Sequence, residues 1–120
     1  MHMSTHMFKL VIHISDLEKW QTVINNINNS VKGLRDSYTI HVVANVNAIQ
    51  GYLDPKIREQ ITAINDPNIH FFACNNSLVG QNVTPEMLNP PTTPSKIEIV
   101  PVGIISIVED QNNGFAYLKP

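Results

Sequence analysis

Cysteine is nearly absent from this chain: Cys74 stands alone, so no intramolecular disulfide and no C-x-x-C redox pair can form. That suits a reducing compartment. Charge is also scarce. Charged residues make up 15% of the 120 residues and the formal net charge is −2, leaving neither a basic stripe nor an acidic tail. Nucleic acid is therefore not expected as a partner. Scarce charge is compatible with surface hidden in an oligomer. No apolar run approaches the ~20 residues of a membrane-spanning helix. The first residues, Met1 to Met7, lack the long apolar core of a secretory signal. A soluble, cytoplasmic protein without a membrane partner is the expectation.

Signature motifs are missing as well. There is no G-x-G-x-x-G and no G-K-[ST], and the first strand-helix junction, Ser15-Asp16-Leu17, carries no glycine-rich phosphate loop. G-x-S-x-G is absent, which removes the usual serine hydrolase of α/β proteins. No H-E-x-x-H or paired Cys/His spacing appears, so no metal or other cofactor is expected. The carboxylates Asp16, Glu18, Glu59, Glu86 and Asp110 are scattered and read as caps or solvated charges. By elimination, the Cys74 thiol is the one candidate for covalent chemistry.

What is present is an alternation of strands and helices. Residues 1–6 read as a flexible end, and residues 7–120 as a single domain. Met7 to Ile14 is a first strand. Ser15 or Asp16 then caps a helix whose Leu17, Trp20, Val23, Ile24, Ile27 and Val31 share one face, with Gly33 as its stop. Tyr38 to Ala44 is a second strand, and Asn45 to Leu53 a loop with at most one helical turn. Asp54-Pro55 supplies an N-cap and first-turn proline for a short helix with Ile57, Ile61 and Ile64 inward.

The third strand, with Ile69, Phe71 and Phe72, is expected to be covered on both faces and runs into Cys74. Thr84-Pro85-Glu86 resembles a helix start, while Pro90, Pro91 and Pro94 stiffen an exposed connection. Lys96 to Val100 is a fourth strand, Gly103 to Asn112 a helix with Ile104, Ile105, Ile107 and Val108 apolar, and Phe115 to Leu118 a last strand. The order predicts a mainly parallel sheet with helices on both faces. His13, His41 and His70 each interrupt an apolar strand, and the sequence places them at three different heights. Such histidines are more often hydrogen-bonded core residues than ligands.

Cys74 has two readings. At the carboxyl end of a parallel strand it sits where open α/β sheets bind ligands, and a following helix amino terminus favours thiolate over thiol. Equally, an unpaired cysteine is often a small buried hydrophobe.

Several segments together resemble the DsrE/DsrF-like proteins, specifically their small single-domain branch. They are Val11-Ile12-His13-Ile14, Trp20 with Asn26-Ile27-Asn28-Asn29, Val42-Val43-Ala44-Asn45 and Phe72-Ala73-Cys74-Asn75-Asn76. The most specific is the ending, Val100-Pro101-Val102-Gly103 through Gln111 to Gly114-Phe115-Ala116-Tyr117-Leu118-Lys119-Pro120. The resemblance implies a three-layer α/β/α fold with a five-stranded parallel sheet, and assembly into homo-trimers or hexamers. It also implies that Cys74 accepts sulfane sulfur as a persulfide and hands it between donor and acceptor proteins. Family members often have glycine after the Asn45 position, where this chain has Val46.

Two functions follow as expectations. In a sulfur carrier, Cys74 holds the sulfur, His13 assists proton transfer, and Asn45, Asn75 and Asn76 contact the transferred atom. In a non-catalytic oligomeric binding module, Cys74 is packing.

Overall fold

The computed structural model of this chain describes residues 7–34 and 37–120, so the loose end expected at 1–6, with His2 and His6, lies outside the described residues. Five strands form the centre: β1 (Phe8–Ile14), β2 (Tyr38–Ala44), β3 (Ile69–Cys74), β4 (Glu98–Val100) and β5 (Ala116–Leu118). Every neighbouring pair is parallel and the spatial order is β4-β3-β2-β1-β5. The helices are α1 (Trp20–Gly33), α2 (Pro55–Ile64), α3 (Asn75–Gly80), α4 (Pro85–Leu88) and α5 (Gly103–Asn112). They lie on both faces, giving a three-layer α/β/α fold. No described helix is long and apolar enough to cross a membrane.

The two faces are covered unequally. Side chains alternate along a strand, so Ile12 and Ile14, Val42 and Ala44, and Phe71 and Ala73 all point one way. They meet Trp20, Ile24 and Ile27 of α1, Ile61 of α2, Leu78 of α3 and Leu88 of α4 in one large core. On the other face α5 alone brings a buried apolar side chain, Ile107, against Val11 and Val43, with Phe72 and Phe115 partly buried beside them. The expectation that β3 is covered on both faces is thus corrected. Its residues alternate, with Ile69, Phe71 and Ala73 buried and His70 and Phe72 half-buried; Cys74 at the end is buried too.

The apolar residues of α5 divide between the sheet and the outer surface. Ile107 turns inward, but Ile104, Ile105 and Val108 are about half exposed, at 53%, 56% and 49%.

Two local expectations also change. Helix α1 starts later than the capping pattern suggested: Leu17–Lys19 is a short 3-10 turn, Leu17 is exposed, and Asp16 makes no side-chain cap. The segment after β2 is not a loop but a 3-10 run, Val46–Leu53, with Ala48, Ile49, Gly51 and Tyr52 buried. Trp20 organises it. The indole Nε1–H donates to the Ala48 carbonyl at 2.7 Å, and a Cβ on Gly51 would fall 2.1 Å from that nitrogen. Glycine is therefore required at 51 by close approach rather than by conformation. Elsewhere the capping signals hold. The Asp54 carboxylate accepts from the Lys56 and Ile57 amides at 2.9 and 3.3 Å, and the Thr84 hydroxyl accepts from Met87 N–H at 3.2 Å.

Candidate functional site at the carboxyl edge of the sheet

Cys74 ends β3 and serves as the residue before the first turn of α3, with extended backbone (φ −73°, ψ 119°). First-turn amides of a helix have no partner within the helix. Hydrogen bonding from the Asn76 and Ser77 N–H groups, the Ser77 hydroxyl and the Gly103 N–H at the start of α5 favours the thiolate. Burial pushes the Cys74 thiol up, but these four donors outweigh it and hold the thiol below its ordinary value. The residue is 6% exposed. Its sulfur is enclosed, yet by donors as well as by aliphatic groups. Gly103 permits the approach, since a Cβ there would lie 3.3 Å from both Cys74 Cβ and Val43 Cγ1.

Val46 holds this arrangement from the other flank. Its φ is +52°, a left-handed conformation that a β-branched residue rarely adopts, at a cost of about 1–2 kcal/mol. Two hydrogen bonds fix it. The Val46 N–H donates to Ser77 Oγ at 2.8 Å, and its carbonyl accepts from Gln81 Nε2 at 2.8 Å. Because Ser77 Oγ accepts there, its own hydrogen is free to point at the sulfur.

A second polar centre lies between β1 and β5, where the strand order reverses; such switch points are where open α/β sheets bind ligands. His13 Nδ1 is 2.8 Å from the Tyr117 hydroxyl, and Nε2 is 3.1 Å from Asn45 Oδ1. Ser15 Oγ donates to the same Asn45 oxygen at 2.7 Å. That oxygen can only accept, so the hydrogen of the neutral ring sits on Nε2 and Nδ1 receives the Tyr117 O–H. Burial lowers the His13 pKa, the Asn45 contact partly restores it, and the positive charge of Lys119 lowers it further, so the net shift favours the neutral ring.

The residues expected at the site are therefore divided. Cys74 lies with the backbone of Asn76, while the Asn75 and Asn76 side chains are exposed. Asn45 spends its side-chain oxygen on His13 and Ser15. His13 is two strands from Cys74, about 10 Å sideways by strand spacing, and among the described residues no hydrogen bond joins them. The link is indirect, through the chain from Asn45 to Val46 and the Val46–Ser77 bond. Ser77, Gly103, Ser15 and Tyr117 escaped sequence reasoning as site residues. A serine three positions after the cysteine is the one signal that could have found Ser77.

Among the described residues, Cys74 lines neither of two surface clefts. One of about 290 Å³ lies at the amino end of β3, bordered by Asp66, His70, Lys96 and Glu98. The other, about 330 Å³, lies between α1 and α2.

Fold and site together define a parallel α/β protein with a buried, unpaired thiol at the carboxyl edge of its sheet. Among solved structures the chain is similar to MTH1491, a protein of unknown function from Methanobacterium thermoautotrophicum. Identity is 23%, the TM-score is 0.78, and the match covers 94% of this chain and 99% of that one. At this identity the likeness shows the fold alone. No family model and no curated protein matches the chain.

Proposed function

We propose that the protein is a sulfur carrier of the DsrE/DsrF-like kind, holding sulfane sulfur as a persulfide on Cys74. The observation that carries this reading is the place of Cys74, at the carboxyl end of β3 and immediately before the first turn of α3, with Gly103 of α5 packed against it; a thiol held below its ordinary value accords with it. In the first step the Cys74 thiolate attacks the outer sulfur of a donor persulfide, R–S–SH. A bond forms between Cys74 Sγ and that sulfur while the donor's S–S bond breaks, and the donor leaves as thiolate. In the second step an acceptor thiolate attacks the terminal sulfur of Cys74–S–SH, and Cys74 departs as thiolate. Neither step needs an external oxidant, reductant or cofactor. Donors that stabilise the thiolate also make Cys74 a better leaving group, which serves the second step.

The enclosure of Cys74 is matched by donor and acceptor proteins that present a thiol on a chain segment. His13 acts through position: its network holds Asn45, and with it Val46 and Ser77. The half-exposed Ile104, Ile105 and Val108 beside Gly103 suit coverage by another copy, in line with a homo-trimer or hexamer. Mass spectrometry of the intact chain after exposure to a persulfide donor tests the proposal. Gain of one sulfur, lost in Cys74→Ala and discharged by an added thiol, is the expected result; no gain under any donor condition would end it.

One observation favours a second reading. At 6% exposure Cys74 is as buried as core residues such as Val83, also 6%. In that reading the protein is a non-catalytic oligomeric module that binds a small ligand or partner, and Cys74→Ala leaves its binding unchanged.

A further inference from the structure

Helix α5 is held to the sheet by few contacts. Its buried residues are Gly103, Ile107 and Asp110, spaced by four and three and so aligned on one face. Helix α1, by comparison, buries Trp20, Val23, Ile24 and Ile27. The sheet-facing stripe of α5 is thus one glycine, one isoleucine and one carboxylate. At its start the helix has Val102 in the capping position with no side-chain cap, a place where serine, threonine, aspartate or asparagine would stabilise the first turn.

Each of the three meets something different. Gly103 lies over the thiol: a Cβ there would fall 3.8 Å from Cys74 Sγ. Ile107 fills the small cluster of Val11 and Val43. Asp110 Oδ2 accepts from His41 Nδ1 at 2.9 Å, and Lys9 Nζ adds an exposed bond to the Asn113 carbonyl at 2.9 Å. His41 does not stand at a height of its own, as the sequence suggested, but is the cross-strand partner of His70. Its ring packs against Phe72 and Phe115, at 5.0 and 4.6 Å between centroids, which fixes it for Asp110.

From this packing we propose that α5 is a movable cover over Cys74, latched by the Asp110–His41 contact, and that partners reach the thiol when it lifts. Cys74 is 6% exposed, so a reagent meets its sulfur only after a neighbour moves. The neighbours are unequal. Helix α3 starts at the residue after Cys74 and is anchored by Leu78 in the large core. Lifting α5 uncovers one buried isoleucine of the small cluster and leaves the large core closed. Elements with few buried apolar contacts open at lower free energy than the rest of a fold. As control over a sulfur carrier, the cover rests on the function proposed above; the opening itself does not.

The test is alkylation of Cys74 by iodoacetamide at one pH in the native full chain, across urea concentrations too low to unfold it. Because Cys74 is the only cysteine, the rate reports a single site. The expected rate is well below that of the urea-unfolded chain. It should rise with urea on a slope clearly smaller than that of global unfolding, since a local opening exposes less surface. Asp110→Ala should raise the low-urea rate about tenfold, by loss of a hydrogen bond to a charged group. Asp110→Asn should raise it less, because its amide oxygen still accepts from His41. Ile61→Val, in the opposite core, should lower the urea midpoint and leave the low-urea rate unchanged. A slope equal to that of global unfolding, a native rate equal to the unfolded one, or no response to Asp110→Ala would overturn the proposal. Failure to gain sulfur from a persulfide donor, with these rates as expected, would remove the carrier function and leave the cover standing.

Discussion

The two faces of the sheet differ in what they bury and what they offer. On the face covered by α1 to α4, the strands present Ile12, Ile14, Val42, Ala44, Phe71 and Ala73 to one large hydrophobic core. On the face covered by α5, the same strands present His13, His41, His70 and Cys74 among Val11, Val43 and Phe72. The period of two along a strand sorts the sequence into these sets. One face supplies cohesion, and the other carries Cys74, the three strand imidazoles and, on α5, Asp110, which is buried rather than the solvated charge expected from the sequence. Substitutions on the first face should therefore act on stability, and those on the second on reactivity or association.

The largest expected effect is on the closed face. Trp20→Ala removes a fully buried ring and its bond to Ala48, and should cost about 3–5 kcal/mol in urea unfolding. Ile107→Ala, on the α5 face, should cost about 2 kcal/mol, near the low end for such changes because its apolar cluster is small. In molecules that remain folded it should move the pH profile of Cys74 alkylation upward, since α5 carries Gly103; an unmoved profile would break the division between faces.

Ser77→Ala should be milder in stability, about 1 kcal/mol or less. Its thiol should titrate at higher pH as one donor is lost, which sharpens the assignment of that shift to named groups. For His13, the folded ring has a lowered pKa, so the fold prefers it neutral. Its contribution is fully present above the unfolded value of about 6.5 and is lost as pH falls through the folded value. Wild type should therefore lose stability over this range relative to His13→Gln, measured as the difference in urea midpoints. The smallest effect on the isolated chain should come from Ile105→Lys, within about 0.5 kcal/mol. The proposed oligomer predicts that the same change lowers the sedimentation coefficient relative to the unchanged chain; equal sedimentation would mean that the outer side of α5 is not an interface.

Much of this was legible in advance because it rests on local chemistry. The β-branched run of Tyr38–Ala44 gives β2 its full length, and Asp54-Pro55 marks the start of α2. The five-stranded parallel sheet follows from the alternation of elements. What escaped depends on tertiary contact. The 3-10 run at Val46–Leu53 forms because Trp20 needs the Ala48 carbonyl and the space at Gly51. Ser15 looked like a helix cap, but its hydroxyl is drawn to Asn45. The outward turn of Ile104, Ile105 and Val108 could not be read from a helix this apolar, since its period alone does not say which residues meet the sheet. For the candidate site, the position of Cys74 was visible, whereas its donors from Ser77 and Gly103 come from elements whose docking only the fold defines. At Val46 the positive φ is one that glycine would adopt with less strain, and nothing in the structure explains the valine.

The most direct test is the rate of Cys74 alkylation against pH, in the native chain and in the same chain unfolded in urea. The account predicts a native midpoint below the unfolded one, because the donors around the sulfur lower the thiol despite its burial. A native midpoint equal to or above the unfolded one would contradict it, and Cys74 would then be a packing residue.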